Sequence, residues 1–361
     1  MSPTSPTQTS EFLFSATGHT AAILQHAFLH DHQQPALIIS DYRCELATIL
    51  TGAYQQNLPQ AAVLHFDQLA PQQVLDHILA LPSGALVVLI QSTHFRLEAY
   101  RLRVELFKRG LKVIEHPHLE RMLPDEISAY IDSLAYDPDY YRNTGKGLKQ
   151  LIDRANQGII VSGDDAQLVF SDGFEPARLN VGDYSGMPNT GGQFPIGEVF
   201  SEARDLEKVS GRVRIFVFGD TSFRINEPET PITLIVEAGK VVATENSTPE
   251  FDTVLENIRR DEGGIVWVRE LGFGLNRAFT ASRRVRDIGT YERMCGIHLS
   301  LGAKHGSYGK PHIKRGEGRY HIDVFAITEQ VWLDQHNVFQ DGKWQLPSEA
   351  SLSELAVPAE R

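Results

Sequence analysis

The chain has 361 residues, 42% of them hydrophobic and 22% charged, which suits two globular domains that each bury a core. Its net charge of −12 argues against nucleic acid as a partner, because binding a phosphate backbone rests on clustered Lys and Arg, and it argues against an anionic membrane surface. Two cysteines, Cys44 and Cys295, make neither a disulfide framework nor a CxxC zinc site and point to a reducing cytoplasm; no apolar run is long enough to span a bilayer.

Residues 1–12 are opened by a Ser-, Thr- and Pro-rich stretch without a basic or apolar signal region, and read as a flexible leader. Residues 13–157 alternate strand-like and helix-like segments. Ala36–Ser40, Ala61–Phe66, Ala85–Ile90 and Leu111–Ile114 are short apolar runs of the kind buried in a parallel sheet. Between them, Gln72–Leu81 carries Val74, Ile78 and Leu81 at helical spacing, and Leu97–Arg109 places Tyr100, Val104 and Phe107 on one face. A βαβα order of this kind predicts a Rossmann-like α/β layer with right-handed crossovers. No GxGxxG or Walker loop follows these strands, so nothing supports a nucleotide role. The pairs His30/His32 and His116/His118 have no carboxylate pattern beside them and read as surface or core histidines.

From residue 158 to 361 Gly and Asp punctuate shorter strands: Gly158–Val161, Ala166–Phe170, Val213–Phe218, Ile232–Val236 and Val241–Thr244. Glu237 to Lys240 joins the last two as a hairpin, and Asp252–Arg260 reads as a lone helix. Ile265–Arg269, Gly296–Leu301 and Tyr320–Ile327 complete a mixed α+β domain, mainly antiparallel, in which the candidate chemistry lies. The tail after Pro347 is polar and reads as peripheral.

In a strand, residues two apart share a face, so His321 and Asp323 project together. They suit a divalent ion, or equally a His–Asp hydrogen bond on a solvated face. On the Gly296 strand, Ile297, Leu299 and Leu301 take one face and leave His298 and Ser300 on the other, as ligand or as satisfied histidine. Glu270 ends an apolar run and precedes a glycine-rich turn, which fits a ligand position or a plain charged strand terminus. Glu198 follows a Gly/Pro-rich loop and reads as a ligand or as an ordinary exposed carboxylate.

Taken together and in this order, these segments resemble the thermophilic-type metal-dependent aminopeptidases, the aminopeptidase T family. The likeness runs from about Asn143 to Phe325 through Gly197–Phe200, Glu270–Asn276, His298–Gly302 and His321–Asp323. The resemblance implies a two-metal hydrolase for a peptide or small amide, with zinc, cobalt or manganese on Glu198, Glu270, His298, His321 and Asp323, and a homodimer. Three carboxylates and two imidazoles nearly neutralise two divalent ions, which a bridging carboxylate holds about 3.5–4 Å apart. Two positions depart from the family pattern. Arg293, with Glu292 beside it, stands where the family has a glutamate; His305, with Tyr308 nearby, stands where it has a tyrosine. Glu292, His305 and Tyr308 are therefore the candidates for moving protons or orienting substrate. Lys304, His312 and Lys314 crowd the same loop, to hold an anionic substrate or simply as a solvated surface.

A second branch of the same fold, ring-opening dioxygenases of dihydroxypyridines, implies instead one Fe(II) on two imidazoles and a carboxylate, to which His321 and Asp323 could belong. This chain keeps Glu198, Glu270 and His298, which is nearer the hydrolase pattern. A third reading is a metal- or small-molecule-binding protein without turnover.

Overall fold

The computed structural model describes residues 6–93, 95, 102–185, 187, 189–303, 306–310 and 318–346. It divides into two compact units, both discontinuous in sequence. One comprises Met1–Tyr141, Gly182–Ile196 and Arg284–Arg286; the other comprises Arg142–Val181, Gly197–Arg283 and Asp287–Arg361. No helix among the described residues is long and apolar enough to cross a membrane.

The first unit is the expected α/β layer. Its five parallel strands lie in the order Ala62–His65, Ala36–Ser40, Leu86–Ile90, Lys112–His116 and Gly191–Gln193. Strands covered on both faces need no polar side, and Leu86–Ile90 is accordingly buried at every position. Leu37, Ile39, Val87 and Leu89 pack with Val74 and Ile78 of the helix Pro71–Leu79 and with Leu106 of Leu102–Lys108. The alternate residues meet the helix Glu45–Asn57: Thr51 Oγ donates to Ser40 Oγ at 2.8 Å, and the Tyr54 hydroxyl lies 2.8 Å from His116 Nε2.

Two expectations are corrected here. The leader does not extend to residue 12, because a helix runs over Pro6–Ala22. Its polar composition hides a usable stripe. Ala16 and Thr20 are buried, Asn57 Nδ2 donates to Thr20 Oγ at 2.9 Å, and Leu13 lies against Gly52. The boundary at 157/158 also differs from the compact units, since the sheet recruits its fifth strand from residues 191–193 and the cut falls inside the helix Pro138–Arg154. A three-residue Gly-Gly-Gln strand has no periodicity to read. The first part of the expected helix Leu97–Arg109 and the tail after Pro347 lie outside the described residues.

Among the described residues the second unit carries a 14-stranded sheet. From one edge the order is Lys343–Trp344, His336–Gln340, Gln330–Leu333, Gly158–Val161, Gln167–Phe170 and Val209–Gly219. It continues through His321–Ala326, Gly296–Gly302, Val268–Gly274, Glu198–Glu202 and Arg178–Asn180. The long strand Val209–Gly219 also pairs with Ile225–Asn226 and with the hairpin Ile232–Glu237/Lys240–Glu245. All of these pairings are antiparallel, as the short, turn-separated runs implied. The helix expected over Asp252–Arg260 spans Pro249–Asp261 and is not alone, since Ile288–Tyr291 is helical as well. Thr248 caps the longer helix by accepting from the Phe251 N–H, and Phe251, Val254, Leu255 and Ile258 form its buried face.

Candidate metal centre

Four neighbouring strands supply the predicted ligands. Register sets His321 opposite Gly302, Asp323 opposite Ser300, His298 opposite Gly272, and Glu198 opposite Gly274. Directly opposed residues share a face. Glu198, Glu270, His298, His321 and Asp323 therefore project to one side, while Val199, Leu271, Ile297, Leu299 and Val324 fill the core on the other.

Glu270 is not at a strand end, as the sequence suggested, but is the third residue of Val268–Gly274. The pairing with the His298 strand shifts between Val268 and Leu271, and such an irregularity re-aims side chains. The Glu270 N–H donates to Ser300 Oγ at 3.0 Å instead.

The glycines after Glu270 allow two close approaches. A Cβ on Gly272 would lie 1.9 Å from His298 Cε1, so the imidazole lies directly across this strand on its way to Glu198. A Cβ on Gly274 would lie 1.9 Å from the Met294 carbonyl oxygen. That approach, with the Asn276 N–H donating to the Arg293 carbonyl at 2.8 Å, brings Glu292 and Arg293 to the carboxylates. The Gly-x-Gly-x-Asn spacing thus has a mechanical meaning.

Glu198, Glu270 and His298 are all buried and each offers a donor atom within 4.8 Å of the others. His298 Nε2 is 3.3 Å from Glu198 Oε1 and 3.8 Å from Glu270 Oε1. His321 Nε2 and Asp323 Oδ1 form a separate pair at 3.3 Å on the next strand but one from Glu270. Arg293 Nη1 lies 3.1 Å from Glu198 Oε2 and also meets the Glu292 carboxylate. Glu270 Oε2 and His298 Nδ1 are buried without a hydrogen-bond partner, and His298 Nε2 and Asp323 Oδ1 have only the ion-pair contacts just given. Buried polar atoms left unmatched on one face are costly, and an ion is a natural partner for them. Two carboxylates and an imidazole are hard to borderline donors, which fit zinc, cobalt or manganese.

Burial disfavours protonated His298, yet Glu198 and Glu270, with Asp323 beyond them, hold its pKa well above the ordinary value. Burial likewise opposes charge on His321, but Asp323 raises its pKa to about 10. Against burial, Arg293 and then His298 keep Glu198 below the usual carboxylate range, and His321 does the same for Asp323. Glu292 is pushed up to about 8 by burial, despite Arg293, with Asp323 and Glu198 adding to the rise. An imidazolium has no lone pair to give, so taking up an ion here means releasing protons.

Of the other candidates, Glu292 stands among these charges, and His305 lies outside the described residues together with Lys304, His312 and Lys314. Tyr308 is buried, and its hydroxyl lies 3.0 Å from the Pro176 carbonyl oxygen and 3.2 Å from that of Phe200. Burial raises its pKa to about 12. Those contacts fit a side chain that fastens its loop rather than one that moves protons. Sequence reasoning missed a second buried group on this face, Arg269 with Glu202 at 2.6 Å and Lys310 Nζ at 3.7 Å from the same carboxylate. Alternation along the Glu198 strand does place Glu202 on the Glu198 face, which was the available signal.

No protein-family model matches the chain, and no curated protein matches it. Solved structures share its fold. The 2,5-dihydroxypyridine dioxygenase from Pseudomonas putida superposes with a TM-score of 0.62 at 14% identity, over 93% of this chain and 98% of that one. The aminopeptidase AmpT from Thermus thermophilus superposes with a TM-score of 0.55 at 13% identity, over 92% of this chain and 99% of that one. Both are enzymes, and at these identities the likeness is one of fold.

Proposed function

We propose that Glu198, Glu270 and His298 hold a divalent cation, and that the protein is a metal-dependent hydrolase of an amide bond in a short peptide or small molecule. The observation that carries this reading is the composition of the converging group: two carboxylates and one imidazole within 4.8 Å, all buried. A facial triad for iron and oxygen has the opposite composition, two imidazoles and one carboxylate. The dioxygenase neighbour therefore supports a metalloenzyme fold without favouring its own chemistry here.

When bound, such an ion acidifies water and polarises a carbonyl. The chain's own residues orient that chemistry. Gly272 lets the His298 ring lie across the strand, and Arg293 holds Glu198 from the far side. The Glu292 carboxyl, with its pKa near 8, can hold a proton at neutral pH and pass it on, which is what a leaving amine requires. The His321–Asp323 pair borders the group and fixes the charge on that side.

The test is elemental analysis of protein purified without chelator, wild type and Glu270→Ala, followed by a peptide and amide screen. Zinc, cobalt or manganese that is retained by the wild type and lost from the variant, with amide cleavage, is the expected result. Iron with oxygen uptake would move the assignment to a dioxygenase, and a wild type that takes up no metal on reconstitution would end it.

A further inference from the structure

A centre for two ions needs a carboxylate that gives one oxygen to each. Glu198 is the best placed to bridge, and both its oxygens already face other groups. Oε1 lies 3.3 Å from His298 Nε2, on the Glu270 side, and Oε2 lies 3.1 Å from Arg293 Nη1. Arg293 is only 8% exposed, and it contacts Glu292 as well. A guanidinium keeps its charge, has no lone pair to offer and cannot be a ligand.

Charge points the same way. With His321 and Asp323 taken as an internal ion pair, the remaining carboxylates are Glu198, Glu270 and Glu292. Arg293 and one divalent ion balance those three negative charges when all are ionised, and exceed them by one when Glu292 carries a proton. A second divalent ion would leave a buried excess of two positive charges in the first case and three in the second, which a low-dielectric site opposes strongly. Of the unmatched atoms, Glu270 Oε2 and His298 Nδ1 could give a lone pair to a cation, whereas the unmatched atom of Arg293, Nε, is a donor that cannot.

We infer that Arg293 takes the place of a second cation, so that the centre holds one divalent ion on Glu198, Glu270 and His298, in place of the two expected from the sequence. This rests on the metal reading of the site given above. Arg293 is then a positioning residue: it aims Glu198 Oε1 at the ion and confines Glu292 beside it.

Titration of chelator-stripped protein with cobalt(II), followed by visible absorption and calorimetry, tests the inference without any assay of activity. The wild type should saturate at one equivalent. Arg293→Glu, which removes the cation and adds a carboxylate facing Glu198, should saturate at two. Arg293→Gln, which removes the charge and adds no anionic ligand, should stay at one with altered affinity. Two equivalents in the wild type, or one in a folded Arg293→Glu protein, overturns the assignment of Arg293 while leaving the metal site standing. No binding by the wild type overturns the metal reading and this inference with it. Should Arg293→Glu fail to fold, the wild-type stoichiometry and the spin coupling expected of two adjacent cobalt ions still decide the question.

Discussion

At Gly272 the site depends on the absence of one carbon atom. The His298 ring fills the space a Cβ would occupy, and the ring is the mobile partner, so it would be the part to move. Gly272→Ala should therefore leave the sheet folded by circular dichroism and weaken cobalt(II) binding by about 10–100-fold, as changes that misorient a ligand do. Unchanged affinity would show that His298 is not a ligand from this position. His116 in the other unit offers a test of pH dependence. Burial lowers its pKa to about 3, and it sits between the hydroxyls of Tyr54 and Tyr130 as a neutral ring. The unfolded chain protonates near the ordinary value of 6.5, so this contribution is intact above that pH and is lost as pH falls towards 3. Between pH 7 and pH 5 the wild type should lose about 2 kcal/mol more in urea unfolding than His116→Gln does. Equal losses would sink the argument. Strand alternation alone makes His298, His321 and Asp323 legible in the sequence as residues of a polar face. The contact between Arg293 and Glu198 was not legible, because it depends on how closely the Met294 carbonyl approaches Gly274, a distance that no spacing encodes.

Between elements, the buried pair of Arg269 and Glu202 ties the Glu270 strand to the Glu198 strand just beside the group of Glu198, Glu270 and His298. Removing one charge strands the other. Arg269→Met should cost about 3 kcal/mol in chemical denaturation, whereas Arg269→Met with Glu202→Met should recover most of it. If the double variant is as unstable as the single, the pair matters for more than its charge balance; Lys310, 3.7 Å from Glu202, keeps its closer contact with Glu175 in either variant. Strands are legible where turn residues bound their apolar runs. Ala36–Ser40 and Gly158–Val161 match to the residue. Elements with no such run carry no signal. The helix Pro6–Ala22 buries Ala16 and Thr20 among polar neighbours, and the strand Gly191–Gln193 is almost all glycine.

For the whole molecule, the mixed α/β architecture was legible because a parallel, doubly covered sheet and an antiparallel one leave different hydrophobic patterns. The partition of the chain was not, since it follows contacts between distant segments. A fragment ending at residue 157 would lack Gly191–Gln193 and leave the strand Lys112–His116 as an open edge. Open edges recruit other chains. Such a fragment should aggregate more than the full chain in light scattering, and a synthetic peptide spanning 182–196 should reduce that. A monodisperse fragment would show that the fifth strand is dispensable.

The same late strand sets a clock on biosynthesis. Its partner strand ends at His116, so the parallel sheet cannot close until about 75 further residues have been made, roughly 4–15 s at ordinary rates of translation. Throughout that interval the strand Lys112–His116 faces the cell with its hydrogen-bonding edge bare, and a chaperone that shields nascent chains has its best reason to bind there.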